Sequence, residues 1–139
     1  MAKLILVVDD EADFSELLQF WLRHRDYEVV AAGTGTEALE QARRRLPDAI
    51  LVDLLLPDLD GLTLCEIFRR HHATRHAPVI MISAVSTDVT RYSAKIAGAA
   101  AFLGKPLDFE QLRSLLELLL PPAPARPAPA SAPESITES

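Results

Sequence analysis

The chain has 139 residues, 49% apolar and 24% charged, which is ordinary for one globular domain with a core of its own. Its formal net charge of −6 argues against direct nucleic-acid binding by its surface, and no apolar run approaches the ~20 residues that crossing a bilayer needs. A single cysteine, Cys65, excludes an internal disulfide framework, and the apolar run after Lys3 is too short and too soon acidic for a secretory signal. A cytoplasmic protein without a membrane segment is the expectation.

Residues 4–8 are continuously apolar and predict a strand buried on both faces. Phe14, Leu17, Leu18, Trp21 and Leu22 recur at the spacing of an amphipathic helix, with Asp13 expected as its N-cap. Residues 28–32 read as a second strand. Thr34 and Glu37 have capping-box spacing and open a helix to about residue 45, which Pro47 stops. The run 49–52 is a third strand; Asp60-Gly61 then turns the chain into a helix from 62 to about 72. A fourth strand spans 79–82, and a helix over 87–97 ends at Gly98. A fifth strand covers 100–103, and Asp108 with Gln111 opens a last helix that buries Leu112, Leu115, Leu116 and Leu119. The folded domain is thus 1–120, and the proline- and alanine-rich 121–139 reads as a disordered tail or linker.

Apolar strands alternating with helices five times over predict an α/β fold, a doubly wound (βα)5 unit with a parallel five-stranded sheet. In such sheets ligands bind beyond the carboxyl ends of the strands. Those ends carry Asp9, Asp10 and Glu11 after the first strand, Asp53 after the third, Ser83 after the fourth, and Gly104-Lys105-Pro106 after the fifth. Asp53 interrupts the apolar runs 49–52 and 54–56, and a buried carboxylate needs a partner. If the first and third strands are neighbours, three aspartates meet and repel, and a divalent cation relieves the conflict. Oxygen ligands of this kind suit Mg²⁺, with Lys105 as a second counter-charge. Asp53 is then a candidate nucleophile toward a phosphoryl group. Lys105 and the Ser83 hydroxyl are placed to contact the remaining phosphoryl oxygens.

These residues in this order resemble the receiver domain of two-component response regulators. The resemblance rests on ILVVDDE (5–11), ILVDLLLPDLDG (50–61), VIMISA (79–84) and AGAAAFLGKP (97–106), and covers about 3–120. It implies a flavodoxin-like sheet of order 2-1-3-4-5. It also implies that a sensor histidine kinase or a phosphotransfer protein passes a phosphoryl group to Asp53. By the same resemblance Asp10, Asp53 and the Leu55 backbone carbonyl would ligate Mg²⁺, with Asp9 acting through water. Ser83 and Phe102 would be the switch pair, Lys105 would bridge to the phosphate, and the bond before Pro106 would be cis. The face made by the fourth helix, fifth strand and fifth helix would then bind a partner or a second copy. An output domain on the same chain, or a separate target protein, would carry the response.

Leu55 and Val85, each two residues beyond a site residue, are apolar and are expected to guard the phosphate entrance. The runs Arg43-Arg44-Arg45 and Arg69-Arg70-His71-His72 end predicted helices, where cations complement the helix dipole; a small anionic docking patch is the other reading. Phe20 lies off the helical stripe, and Leu118 and Leu120 lie beside that of the last helix. Two other functions fit the residues less well. A haloacid-dehalogenase-type phosphohydrolase needs a second Asp two residues after the nucleophile, where Leu55 stands. A pseudo-receiver scaffold that works without phosphate has no need of Asp9, Asp10, Asp53, Ser83 and Lys105 together. The chain is therefore read as a signalling phosphoacceptor and not as an enzyme.

Overall fold

The computed structural model describes residues 2–120; the segment 121–139, read above as a tail, lies outside them. Ten elements alternate: β1 (Leu4–Val8), α1 (Ala12–Arg23), β2 (Glu28–Ala32), α2 (Gly35–Arg44), β3 (Ala49–Val52), α3 (Gly61–Arg70), β4 (Val79–Ser83), α4 (Asp88–Ala97), β5 (Ala101–Gly104) and α5 (Phe109–Leu119). The strands form one parallel sheet in the order β2-β1-β3-β4-β5, the flavodoxin-like arrangement expected. No helix among the described residues is long and apolar enough to cross a membrane.

The continuous apolar runs follow from a core on each face of the sheet. Leu6, Val8, Ile50, Val52 and Met81 point toward α2, α3 and α4, where Ala38, Leu64, Phe68 and Ala94 meet them. The alternate residues Ile5, Val7, Leu51, Ile80 and Ile82 point the other way, onto Leu18 and Leu22 of α1 and Leu112 and Leu116 of α5. Each fully buried side chain of this size stabilises the fold by about 1.5–3 kcal/mol. Cys65 belongs to the first core, and burial pushes its thiol up to about 11.

Local chemistry fixes most helix ends. The Thr34 hydroxyl accepts from the Glu37 N–H at 3.0 Å, while the Glu37 carboxylate reaches back to the Gly33 N–H at 2.8 Å. Asp60 caps α3 through the Thr63 N–H, Asp108 caps α5 through the N–H groups of Glu110 and Gln111, and Gly98 ends α4 at φ 101°. The α1 expectation needs correction. Its N-cap is Glu11, without a side-chain cap, and Asp13 lies in the first turn, where its charge favours the dipole. Leu17 is exposed because it sits ~100° round the helix from the buried Leu18. At the other end Leu120 is buried. Past α5 the backbone becomes extended and Leu120 joins the core of Leu116, while Leu118 faces outward.

Candidate functional site

The sheet itself brings the site residues to one edge. Asp9, Asp53 and Lys105 are each the first residue beyond a strand, and each is pinned there by the neighbouring strand. The Asp9 N–H donates to Ala32 O (3.0 Å), the Asp53 N–H to Val8 O (2.9 Å) and the Lys105 N–H to Ser83 O (2.9 Å). Because β1 and β3 pair Val8 with Val52, Asp9 and Asp53 emerge side by side.

The company that Asp53 requires is therefore present. The Lys105 ammonium lies 2.9 Å from Asp9 Oδ2, 3.2 Å from Glu11 Oε1 and 3.3 Å from Asp53 Oδ2. The Phe14 ring closes its remaining side, with its centroid 4.3 Å from Nζ. Burial pulls the Lys105 pKa down, but the hydrogen bond to Asp9 and the charges of Asp53 and Asp9 outweigh it, so the pKa lies above its ordinary value and the charge is held. Burial is likewise the largest influence on Asp9. It raises the Asp9 pKa more than the bonds from Lys105 and the Glu11 N–H lower it.

That rise fixes the sign of a pH effect. A carboxyl whose folded pKa exceeds its unfolded value, here 3.8, weakens the fold as pH climbs through the folded value. Below the unfolded value both states are protonated and the penalty vanishes. Asp9→Asn, which cannot ionise, is expected to raise Tm in magnesium-free buffer at neutral pH and to leave it unchanged at about pH 3. A neutral-pH Tm equal to wild type would mean that the Lys105 pair fully offsets the burial.

The residues suit a hard divalent cation. One carboxylate oxygen from each of Asp9, Asp10 and Asp53 lies within 4.8 Å of the others. Lys105 meets Asp9, Glu11 and Asp53, and Asp10 brings a fourth carboxylate to the cluster, which leaves negative charge uncompensated. Asp10 is exposed, so water can complete the shell, and an all-oxygen set suits Mg²⁺. A cleft of about 630 Å³ opens over these groups, lined by Asp10, Glu11, Asp53, Leu55, Ala84, Lys105 and Pro106.

The other sequence candidates stand around this centre. Ser83 is buried, and its hydroxyl accepts from the Val85 N–H at 3.1 Å. Phe102 is half-buried, with the Arg91 guanidinium 5.0 Å over its ring and Arg91 Nη1 donating to its carbonyl at 3.4 Å. The Lys105–Pro106 peptide is cis. Leu55 lines the cleft and is exposed, and its N–H donates to Asp53 Oδ1 at 3.2 Å. Val85 packs instead against the core beside β4, and the smaller Ala84 lines the cleft.

Sequence reasoning passed over two residues. Phe14 reads as one more stripe position. Asp58 reads as a turn residue, yet its carboxylate takes the N–H groups of Gly35 (2.8 Å) and Thr36 (3.0 Å) and the Thr36 hydroxyl (2.6 Å). That hydrogen bonding, the hydroxyl first, holds its pKa well below the usual range. Asp58 thus clamps the loop after β3 to the start of α2. Proximity to Pro57 signals a turn, but nothing local names a helix 22 residues away.

A doubly wound sheet with acids and one lysine gathered at its carboxyl edge is the arrangement expected of a receiver domain, and comparison with known families agrees. The chain belongs to the response regulator receiver domain family, whose model matches residues 5–117. It is 40% identical over 124 residues to the response regulator PleD of Caulobacter vibrioides, covering 86% of this chain and 27% of that one. It is 33% identical over 120 residues to the alkaline phosphatase synthesis transcriptional regulatory protein PhoP of Bacillus subtilis, covering 86% and 49%. The chain thus spans about a quarter to a half of the length of such relatives. Among solved structures, the receiver domain of NtrX from Brucella abortus superposes with a TM-score of 0.78 at 33% identity, covering 86% of this chain and 99% of that one. Vibrio cholerae chemotaxis protein CheY4 superposes at 0.81 with 27% identity, covering 86% and 100%.

Proposed function

We propose that this chain is a phosphorylation-dependent switch in which Asp53 accepts a phosphoryl group from the phosphohistidine of a histidine kinase or phosphotransfer protein. The observation that carries the reading is the convergence of Asp9 and Asp53 on the Lys105 ammonium at the mouth of a cleft, with an Asp10 carboxylate oxygen within 4.8 Å of theirs. An Asp53 carboxylate oxygen forms the bond to phosphorus as the phosphorus–nitrogen bond to the donor imidazole breaks. Asp10, Asp53 and the Leu55 carbonyl would hold Mg²⁺ directly and Asp9 through water; bound there, it would supply charge neutralisation for phosphoryl oxygens. Lys105, already 3.3 Å from Asp53, pairs with another oxygen.

The switch follows from the new charge. Ser83 turns its hydroxyl from the Val85 N–H to donate to the phosphoryl group, and Phe102 moves inward, giving up its contact with Arg91. The face of α4, β5 and α5 changes with it. Val89, Tyr92 and Ile96 stand exposed at i, i+3 and i+7 on α4, with Leu118 on α5, which gives that face apolar contacts for a partner or second copy. An output domain or a separate target protein reads the change. Composition alone supports 121–139 as a spacer beyond the 1–120 domain.

The test is incubation with acetyl phosphate, followed by mass-spectrometric mapping. We expect label on Asp53 with Mg²⁺ present and none after chelation. Label elsewhere, or label indifferent to chelator, would overturn the reading. A second expectation concerns persistence. Leu55 at the cleft mouth shields the phosphoryl group from water, so Leu55→Asn should lose phosphate several-fold faster in a hydrolysis time course; equal rates would remove that role.

A further inference from the structure

A second concavity lies at the opposite edge of the sheet, where α2 and α3 end. It encloses about 390 Å³. Leu39 and Ala42 of α2, Leu46 beyond it, and Ile67 and Phe68 of α3 give it apolar walls. Its one buried hydroxyl, Thr74 Oγ1, is spent on Phe68 O at 2.7 Å, and the Arg69 guanidinium donates to the Arg75 carbonyl. Those two bonds fasten the segment after α3, so the groove is preformed. Leu46 is half exposed at its mouth, a large aliphatic side chain without cover.

The rim has the opposite character. Arg43 and His71 line the groove, and Arg44, Arg45, Arg70 and Arg75 lie near them in sequence. Arg43 and Arg44 share one acid, Glu40, and Arg45 takes Glu28. Among the described residues Arg70 and Arg75 enter no ion pair. On a chain of net charge −6 this end is a concentrated cationic patch. Helix-dipole complementarity accounts for cations in the last turn, but not for an open apolar slot between them.

We propose that this groove docks an acidic segment of a partner protein that carries a bulky aliphatic anchor. The anchor fills the slot beside Leu46 and Phe68, and flanking carboxylates meet Arg43, Arg70 and Arg75. Nucleic acid fits less well: the chain carries a net charge of −6, and His71 is the one exposed ring among the lining residues on which a base could stack. The inference shares no residue with the carboxylate site, so it stands or falls separately from phosphorylation.

Fluorescence anisotropy tests it with a labelled peptide, Glu-Asp-Glu-Leu-Leu-Asp-Glu-Glu. The controls are the same peptide with serine for both leucines and a DNA oligonucleotide of equal charge. The leucine peptide should bind and weaken with added salt, and Arg43→Glu and Leu46→Ser should each weaken it about tenfold. Both positions are exposed, so unchanged Tm and unchanged acetyl phosphate labelling check that the variants are intact. Equal binding of the serine peptide or the oligonucleotide would overturn the proposal. So would indifference to Leu46→Ser, or no binding at millimolar peptide.

Discussion

Asp53→Asn should take up no phosphoryl group from acetyl phosphate and Mg²⁺ under conditions that label the wild type fully. The amide oxygen is a poor nucleophile, and no other acid has the same setting. Asp53 is nearly buried at the end of a central strand, with one oxygen toward the Leu55 N–H and the other toward Lys105. Asp9 has the same two kinds of partner, the Glu11 N–H and Lys105, but holds them at 2.8 and 2.9 Å against 3.2 and 3.3 Å for Asp53, and it is Asp53 that lines the cleft. Asp10 is exposed. The variant should nevertheless fold, because asparagine is nearly isosteric and because one of four crowded like charges is gone. Its Tm in magnesium-free buffer should be no lower than that of the wild type. Labelling of Asp10 in the variant at the wild-type rate would show that the site, and not Asp53 in particular, accepts the phosphoryl group. A collapsed Tm would show that the Asp53 charge is structurally required.

Gly61→Ala should destabilise the chain by about 3 kcal/mol, at the upper end for an overpacked methyl group. Gly61 begins α3 directly under the end of β3, and its N–H donates to Leu54 O at 2.7 Å. A Cβ there would overlap the Asp53 backbone oxygen and come 2.8 Å from Leu54 Cα. Both obstacles are main-chain atoms of a central strand's end and cannot rotate aside. Relief requires the helix to back away or the loop holding Asp53 to shift. Urea denaturation should therefore show a lower midpoint with an unchanged slope. A midpoint within error of wild type would mean that α3 slides outward freely. At Gly35 the same substitution brings a Cβ to 2.8 Å from Leu59 Cβ, which side-chain rotation does not move, so it too should destabilise, through a shift of the loop after β3.

Much of this architecture is legible in the sequence because the sheet is covered on both faces. A strand such as Ala49–Val52 must then be apolar without interruption, and its ends are marked by the first charge. The meeting of Asp9, Asp10, Asp53 and Lys105 is legible for the same reason, since all follow apolar runs and parallel strands bring such ends together. Details that depend on packing across the fold are not. Asp13 fits an N-cap by local pattern, but α1 starts two residues earlier, where the chain leaves β1 and Glu11 is drawn to Lys105. Leu17 and Leu120 cannot be ranked by periodicity alone, because one sits at the stripe's edge and the other lies past the helix end. Ala84, not Val85, lines the cleft, because the chain leaving β4 turns Val85 onto the core. Phe14 and Asp58 act through partners 91 and 22 positions away, which no local pattern encodes.

The Asp58 clamp has a consequence for the direction in which force leaves Asp53. The strand that leads to Asp53 is bordered on one flank by stiff material: four hydrogen bonds accepted by the Asp58 carboxylate, and a helix start set close against the main chain at Gly61. On the other flank the Ser83 hydroxyl accepts one hydrogen bond, from the Val85 N–H at 3.1 Å, and the half-buried Phe102 ring lies under the exposed Arg91 guanidinium. If Asp53 takes up a phosphoryl group as proposed, the pull on its carboxylate would meet an anvil on the clamped side and would be relieved toward Ser83 and Phe102, the side proposed to move.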